Sequence, residues 1–220
     1  MDFIKKFLGF SILLCLLSPI SGYFSISEQD GFWYGQNRAN QEGQVFIEAF
    51  FDPICPDSRD SWTPLKKVIQ QYSSRVKLVV HMFPLPSHDN AFTASRALHI
   101  VNNLNSSATY RLLEAFFEHQ EQFYDNTTFY LSRANIVDRI TKFSTQALGV
   151  YFRPSIESGF NDTRTDSVTR VGFKFGCIRG VYGTPSFFVN GFPLKNEGST
   201  MNYNEWRQVL DPLVSRQGRK

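Results

Sequence analysis

Hydrophobic and polar positions follow two different periods along this chain. Val45 to Phe51 (Val-Phe-Ile-Glu-Ala-Phe-Phe) is short, β-prone and apolar at nearly every position, as in a strand covered on both faces. Beyond it Trp62, Leu65, Val68, Ile69 and Tyr72 fall on one side of a helix predicted from Pro56 to about Tyr72. Pro56 suits the first helical position, where a missing N–H costs nothing, whereas Pro64 is expected to kink the helix it sits in. Val76 to Phe83 is a second buried-strand pattern, ended by Pro84 and Pro86. Helical spacing then predicts helices over Asn90 to about Asn103, Ala108 to Phe123, Ser132 to Leu148 and roughly Asp162 to Ile178. Ser186 to Val189 and Phe192 to Leu194 flank Asn190-Gly191, a type I′ hairpin signal, and Tyr203 to Val214 closes the pattern as a helix. Residues 23 to 43 are polar and read as an approach segment. Strand, helix, strand, a block of helices, hairpin and helix, in that order, predict an α/β architecture with a helical insertion.

The first residues stand apart from this pattern. Lys5 and Lys6 precede an uncharged run from Phe7 to Ile20, and the small residues Ser21 and Gly22 close it. A basic start, a short apolar run and a small-residue exit describe a secretory signal peptide over residues 1–22. As a helix the run would reach only about 21 Å, short of the ~30 Å of a hydrocarbon core. No later stretch is apolar enough to span a bilayer, so no stable membrane insertion is expected after cleavage. A domain over 23–220 then remains.

Composition narrows the partners. The chain has 220 residues and a formal net charge of +3, and the balance falls to about +2 without the leader. That mild charge gives no reason to expect nucleic acid or anionic lipid as a partner. With 42% hydrophobic residues and 22 Phe, the domain can bury a sizeable core. Cys15 leaves with the leader, so Cys55 and Cys177 are the thiols to explain, too few for a disulfide-stapled small domain. The histidines His81, His88, His99 and His119 lack metal-ligand spacing. Phosphate-loop, dinucleotide and Gly-x-Ser-x-Gly patterns are not present.

Cys55 draws attention by its place, just after a strand and just before Pro56. The run Phe46-Ile47-Glu48-Ala49-Phe50-Phe51-Asp52-Pro53-Ile54-Cys55-Pro56 resembles the first core strand and active-site turn of DsbA-like thioredoxin-fold proteins. Gly180-Val181-Tyr182-Gly183-Thr184-Pro185-Ser186-Phe187-Phe188-Val189-Asn190-Gly191 resembles the cis-proline loop and final hairpin of that family. Between them, Phe83-Pro84-Leu85-Pro86-Ser87-His88-Asp89-Asn90-Ala91 is similar to the strand exit into the helical insertion, which would occupy about 88–166. The resemblance implies a thioredoxin-like fold, thiol–disulfide exchange on a protein or peptide substrate, and a cis Pro185 beside which Thr184 offers its backbone to that substrate.

The chemistry also follows from the residues. A cysteine at a helix N-terminus meets unpaired N–H groups and the positive end of the helix dipole, which favour the thiolate. Ser58, on the same helix face, could donate its hydroxyl to that thiolate, while Asp57 opposes a second negative charge. An inert structural thiol is the competing reading of Cys55. Two departures from the family separate this chain from a dithiol oxidant. Ser58 stands where such members carry the resolving cysteine, and Ala49 stands where they commonly keep a buried carboxylate. Glu48, one residue earlier, should face the opposite way. The expectation is an atypical monothiol oxidoreductase or isomerase, with glutathione as a thiol co-substrate in reserve. Its alternative is a non-catalytic binding or chaperone-like protein that has lost redox turnover. Cys177 is read first as a buried thiol and second as a bridge to Cys55. Asn105, Asn126 and Asn161 head glycosylation sequons, a number that chance explains, but all are confined to the insertion and its linkers. The final residues carry no Lys-Asp-Glu-Leu type retrieval signal, so an extracellular destination is the default and a vacuolar or lysosomal one the alternative.

Overall fold

The computed structural model describes residues 31–35, 44–195 and 198–217. The predicted leader, its Cys15 and most of the approach segment lie outside them. Strand β2 (Val45–Phe51) is central, with β3 (Val76–Met82) parallel on one side and β4 (Ser186–Val189) antiparallel on the other. Strand β1 (Phe32–Trp33) borders β3 and β5 (Phe192–Pro193) borders β4, giving a mixed sheet ordered β1-β3-β2-β4-β5. The β2–β3 register pairs every residue of β2 without a bulge, so the two faces of β2 are strictly sorted.

One face carries Ile47, Ala49 and Phe51 into a large core with α1 (Pro56–Tyr72) and α8 (Tyr203–Gln217). Phe51 meets Trp62 and Phe187 edge-on, and Phe187 in turn meets Trp206. The other face carries Phe50 into a smaller cluster with Phe83, Phe175, Val181 and Phe188. Helix α7 (Thr163–Ile178) covers this face. Its Gly176 is needed for close approach, because a Cβ there would lie 2.5 Å from the Phe83 ring.

Between β3 and α7 the chain builds the predicted helical block: α2 (Ala91–Leu104), α3 (Ser106–Glu118), the single turn α4 (Asp125–Thr128), α5 (Arg133–Leu148) and α6 (Arg153–Asn161). Asn105, Ser132 and Asp162 cap α3, α5 and α7 by accepting backbone N–H groups. Three details differ from the sequence pattern. The helix predicted over 108–123 breaks at His119, whose φ of −131° is not helical, and continues as a 3-10 turn over Gln120–Phe123. Helix α6, with Pro154 in its first turn, occupies a stretch to which the sequence pattern assigned no element. Strand β1 emerges from the approach segment because Phe32 is buried against His99. Helix α1 runs through Pro64 without interruption, and Asn190 and Gly191 take the positive φ values (50° and 83°) of the expected hairpin turn.

Candidate active site

The site forms where β2 gives way to α1. Phe51 ends the strand and its carbonyl accepts the Phe83 N–H at 2.8 Å, tying the exits of the two parallel strands together. The chain then turns through Asp52, Pro53 and Ile54, and Cys55 becomes the N-cap of α1 in an extended conformation, with Pro56 at the first helical position. The Cys55 N–H donates to the Asp52 carbonyl (3.2 Å), and the Cys55 carbonyl accepts the first helical bond from Arg59 N–H (3.1 Å). The thiol thus sits at the N-terminus of a 17-residue helix, in the field of its dipole, without taking a hydrogen bond from the N–H groups of the first turn.

The cis-proline loop supplies the opposite wall. The Thr184–Pro185 bond is cis, and Cys55 Sγ lies 3.5 Å from the Thr184 carbonyl oxygen. Thr184 is 4% exposed and its hydroxyl has no hydrogen-bond partner among the described residues. The sequence motifs at Cys55 and at Thr184-Pro185, far apart in the chain, are thus brought together. Cys55 itself is only 4% exposed, while Pro56 and Asp57 are exposed at its rim.

Ser58 is fully buried, and its Oγ accepts the Asp52 N–H at 3.3 Å. That bond uses a lone pair of the hydroxyl and not its O–H donor, and the Cys55 thiol lies toward the Thr184 carbonyl. Ala49 lies in the large core, and Glu48 faces the other side of the sheet, as strand alternation requires. There Glu48 Oε2 accepts from Arg179 at 2.8 Å, and the guanidinium carbon stands 4.3 Å from the Phe188 ring centroid. The buried imidazole of His81 completes the group, its Nε2 3.8 Å from Glu48 Oε1.

Cys177 corrects an expectation. It is exposed rather than buried, and both Cys55 and Cys177 are free thiols, so no bridge joins them. The reason is helical phase. Helix α7 buries Thr165, Thr169, Gly172, Phe175 and Gly176, and one further residue, about 100° of turn, carries the next side chain into solvent.

Sequence reasoning overlooked the residues that brace the turn. Asp52 is completely buried; its Oδ1 accepts the Ile54 N–H (2.9 Å), and its Oδ2 accepts the Leu85 N–H (3.0 Å) and meets His88 Nδ1 (2.8 Å). That hydrogen bond outweighs burial and raises the His88 pKa above its ordinary value. Gln120, also fully buried, donates from Nε2 to the carbonyls of Cys55 (2.8 Å) and Pro53 (3.3 Å), and Tyr124 donates to its Oε1 (3.3 Å). The helix break at His119 is what turns Gln120 toward the turn. An acid three residues before the cysteine was the available signal for Asp52; nothing local marks Gln120.

Two concavities stand out among the described residues. A groove of about 280 Å³ runs along α1 from Arg59, with Trp62 and Phe117 as apolar floor and Lys66 and Glu114 ion-paired at its rim. A larger one of about 570 Å³ lies among α2, α6 and α7, lined by residues such as Ile100, Pro154 and Arg164, and contains no residue of the cysteine turn. No described helix is long and apolar enough to cross a membrane.

Comparison with known proteins agrees with this geometry. The family model described as Thioredoxin matches residues 27–212. Among solved structures, a candidate protein-disulfide isomerase from Pseudomonas syringae superposes with a TM-score of 0.67 at 19% identity, covering 87% of this chain and 99% of its own. BdbD from Bacillus subtilis, in oxidised form, gives 0.66 at 15% identity, covering 87% and 95%. The thiol-disulfide exchange protein alpha-DsbA2 from Wolbachia pipientis gives 0.57 at 17% identity, covering 83% and 87%. No curated protein matches the sequence. The likeness to these structures is one of fold: a thioredoxin-like α/β domain of DsbA type, carrying a helical insertion.

Proposed function

The chain belongs to the thioredoxin family, and we propose that it is an exported thiol–disulfide oxidoreductase or isomerase that works through Cys55 alone. The observation that carries this reading is the meeting of Cys55 Sγ, at the N-terminus of α1, with the Thr184 carbonyl beside cis-Pro185. Cys55 thiolate attacks one sulfur of a substrate disulfide, forms a mixed disulfide, and expels the other sulfur as a thiolate. A dithiol enzyme would release the substrate by internal attack. Here Ser58 occupies that place, so a second thiol from outside attacks the substrate sulfur of the mixed disulfide and restores Cys55 thiolate. When that thiol is the substrate's own, the disulfide is isomerised with no net redox change. When it is glutathione, a substrate–glutathione mixed disulfide leaves, and a second glutathione completes the reduction, giving oxidised glutathione. The groove along α1 offers an apolar resting place for a substrate side chain one turn from Cys55.

The leader pattern at residues 1–22 supports export, with extracellular delivery the default and a vacuolar or lysosomal destination the alternative. The exposed positions of Asn105, Asn126 and Asn161 suit glycan attachment. An insulin-type disulfide reduction and a scrambled-substrate isomerisation assay, comparing wild type with Cys55→Ser, test the enzymatic reading. Activity lost in the variant supports it; equal rates overturn it. One observation favours the alternative of a non-catalytic binding protein, namely that Cys55 is 4% exposed. A binding protein would retain its affinity for unfolded polypeptide in Cys55→Ser and would turn over no disulfide in either form.

A further inference from the structure

The proposed exchange reaction leaves one fully buried acid, Asp52, without a part. Its backbone holds both ends of the Cys55–Ser58 motif, through the Cys55 N–H to its carbonyl (3.2 Å) and its own N–H to Ser58 Oγ (3.3 Å). Its side chain holds the surroundings. Oδ1 takes the Ile54 N–H, and Oδ2 takes the Leu85 N–H and His88 Nδ1. Two of these side-chain donors are fixed backbone groups, and the third can change its charge. His88 reaches solvent, since a quarter of its side chain is exposed, whereas Asp52 has no exposed side-chain surface. A proton can therefore reach this buried carboxylate's partner without the fold opening.

We propose that Asp52 and His88 form a positioning pair for Cys55, through which the reactivity of the cysteine follows the protonation state of His88. This rests on the reading of Cys55 as the working thiol. With His88 protonated the pair is neutral overall. When the imidazole loses a proton from Nε2, Nδ1–H still donates to Asp52 and the bond persists. The pair, however, now carries one net negative charge beside the cysteine turn. A neighbouring negative charge disfavours the thiolate, so Cys55 ionises more readily while His88 is charged. Other charged groups face the pair and the turn. Asp125, at the start of α4, favours protonated His88; Asp57 stays on the exposed rim, Arg59 is paired with Asp60, and Tyr124, close to Arg59, Asp60 and Glu121, is held neutral over a wider range by burial. The bond to Asp52 raises the His88 pKa, which moves the switch upward toward neutrality.

The test is alkylation of the full-length protein by iodoacetamide between about pH 5 and 9, with Cys55 and Cys177 read separately by peptide mass. His88→Gln keeps an N–H donor for Asp52 Oδ2 and removes the charge. In wild type the Cys55 rate should show two inflections. In His88→Gln the lower one should vanish and the rate near pH 6 should fall about three- to tenfold, up to one pKa unit, with Cys177 unchanged. Asp52→Asn, where it folds, should shift Cys55 the opposite way, because the pair can then never become negative; a purely structural brace would slow both variants alike. Superimposable Cys55 profiles in wild type and His88→Gln overturn the inference while leaving the monothiol reading intact. A Cys55 that reacts at no pH in any variant overturns the monothiol reading, and the inference falls with it.

Discussion

Two buried carboxylates four residues apart, Glu48 and Asp52, have opposite surroundings. Glu48 sits on the α7 face of β2, held by a guanidinium that itself lies over Phe188. Asp52 sits past the end of the strand, held mainly by backbone N–H groups and by one histidine at its outer edge. Glu48 is answered by a permanent charge, since arginine keeps its proton at any working pH. Asp52 is answered by dipoles and a titratable group. The first arrangement ties the last turn of α7 to the sheet; the second holds the cysteine turn and remains adjustable. The lesson is that a buried acid near a thioredoxin-type cysteine cannot be given a redox role by its distance in sequence. The face it occupies and the partner it keeps decide.

The largest effect should come from breaking the fixed pair. Glu48→Ala leaves the Arg179 guanidinium against Phe188 without its carboxylate, and loss of one partner of a largely buried pair costs about 3 kcal/mol. Urea denaturation measures it, while the Cys55 alkylation rate should hold at its wild-type value. Asp52→Ala should cost slightly less, roughly 2–3 kcal/mol, because it strands the Ile54 and Leu85 N–H groups and the His88 donor. Unlike the Glu48 change, it should also alter Cys55 reactivity in the same samples. A Glu48 variant with altered Cys55 chemistry, or an Asp52 variant without it, would break the comparison.

Much of this frame could be read from the residues alone. The run Val45–Phe51 gave the central strand because both its faces are buried, and Asn190-Gly191 gave the hairpin because few other pairs tolerate two positive φ values. The cysteine turn and the Thr184-Pro185 loop were legible as motifs, and the structure brings them together at 3.5 Å. What was not legible depends on contacts across the chain. Gln120 lies 65 residues from Cys55, and its role requires a helix to break one residue earlier, which helical periodicity alone does not signal. The exposure of Cys177 turns on the phase of α7 against Phe83, and Gly176, the residue that touches that ring, gives no apolar mark in the sequence.

Gln120 gives the next prediction in size. Gln120→Ala removes the donors to the carbonyls of Cys55 and Pro53 inside a closed site, which should cost about 1–2 kcal/mol. Gln120→Glu would place a carboxylate against the same two carbonyls and should cost more, unless it takes up a proton and donates. Denaturation of both variants, with hydrogen exchange at Arg59 N–H as a local probe of the Cys55 carbonyl, separates loss of the brace from global loss of stability. Faster exchange at Arg59 than the global change explains would place Gln120 with Asp52 as a support of the turn. Equal changes would make it an ordinary core residue.

The smallest effect is the pH dependence of stability through His88. Its folded pKa is raised, first by the hydrogen bond to Asp52, against about 6.5 when unfolded. Protonated His88 therefore stabilises the fold fully below about pH 6.5, and the contribution disappears as the pH rises through the folded value. Partial solvent exposure of the imidazole keeps the effect to roughly 0.5 kcal/mol or less. Urea midpoints of wild type and His88→Gln, taken in steps from about pH 5.5 to 8, should converge at the upper end of that window and separate below it, with wild type the more stable. A difference that instead grew with pH would mean that the neutral imidazole is the better partner for Asp52. The contrast with Glu48, held by the Arg179 guanidinium, would then lose its basis.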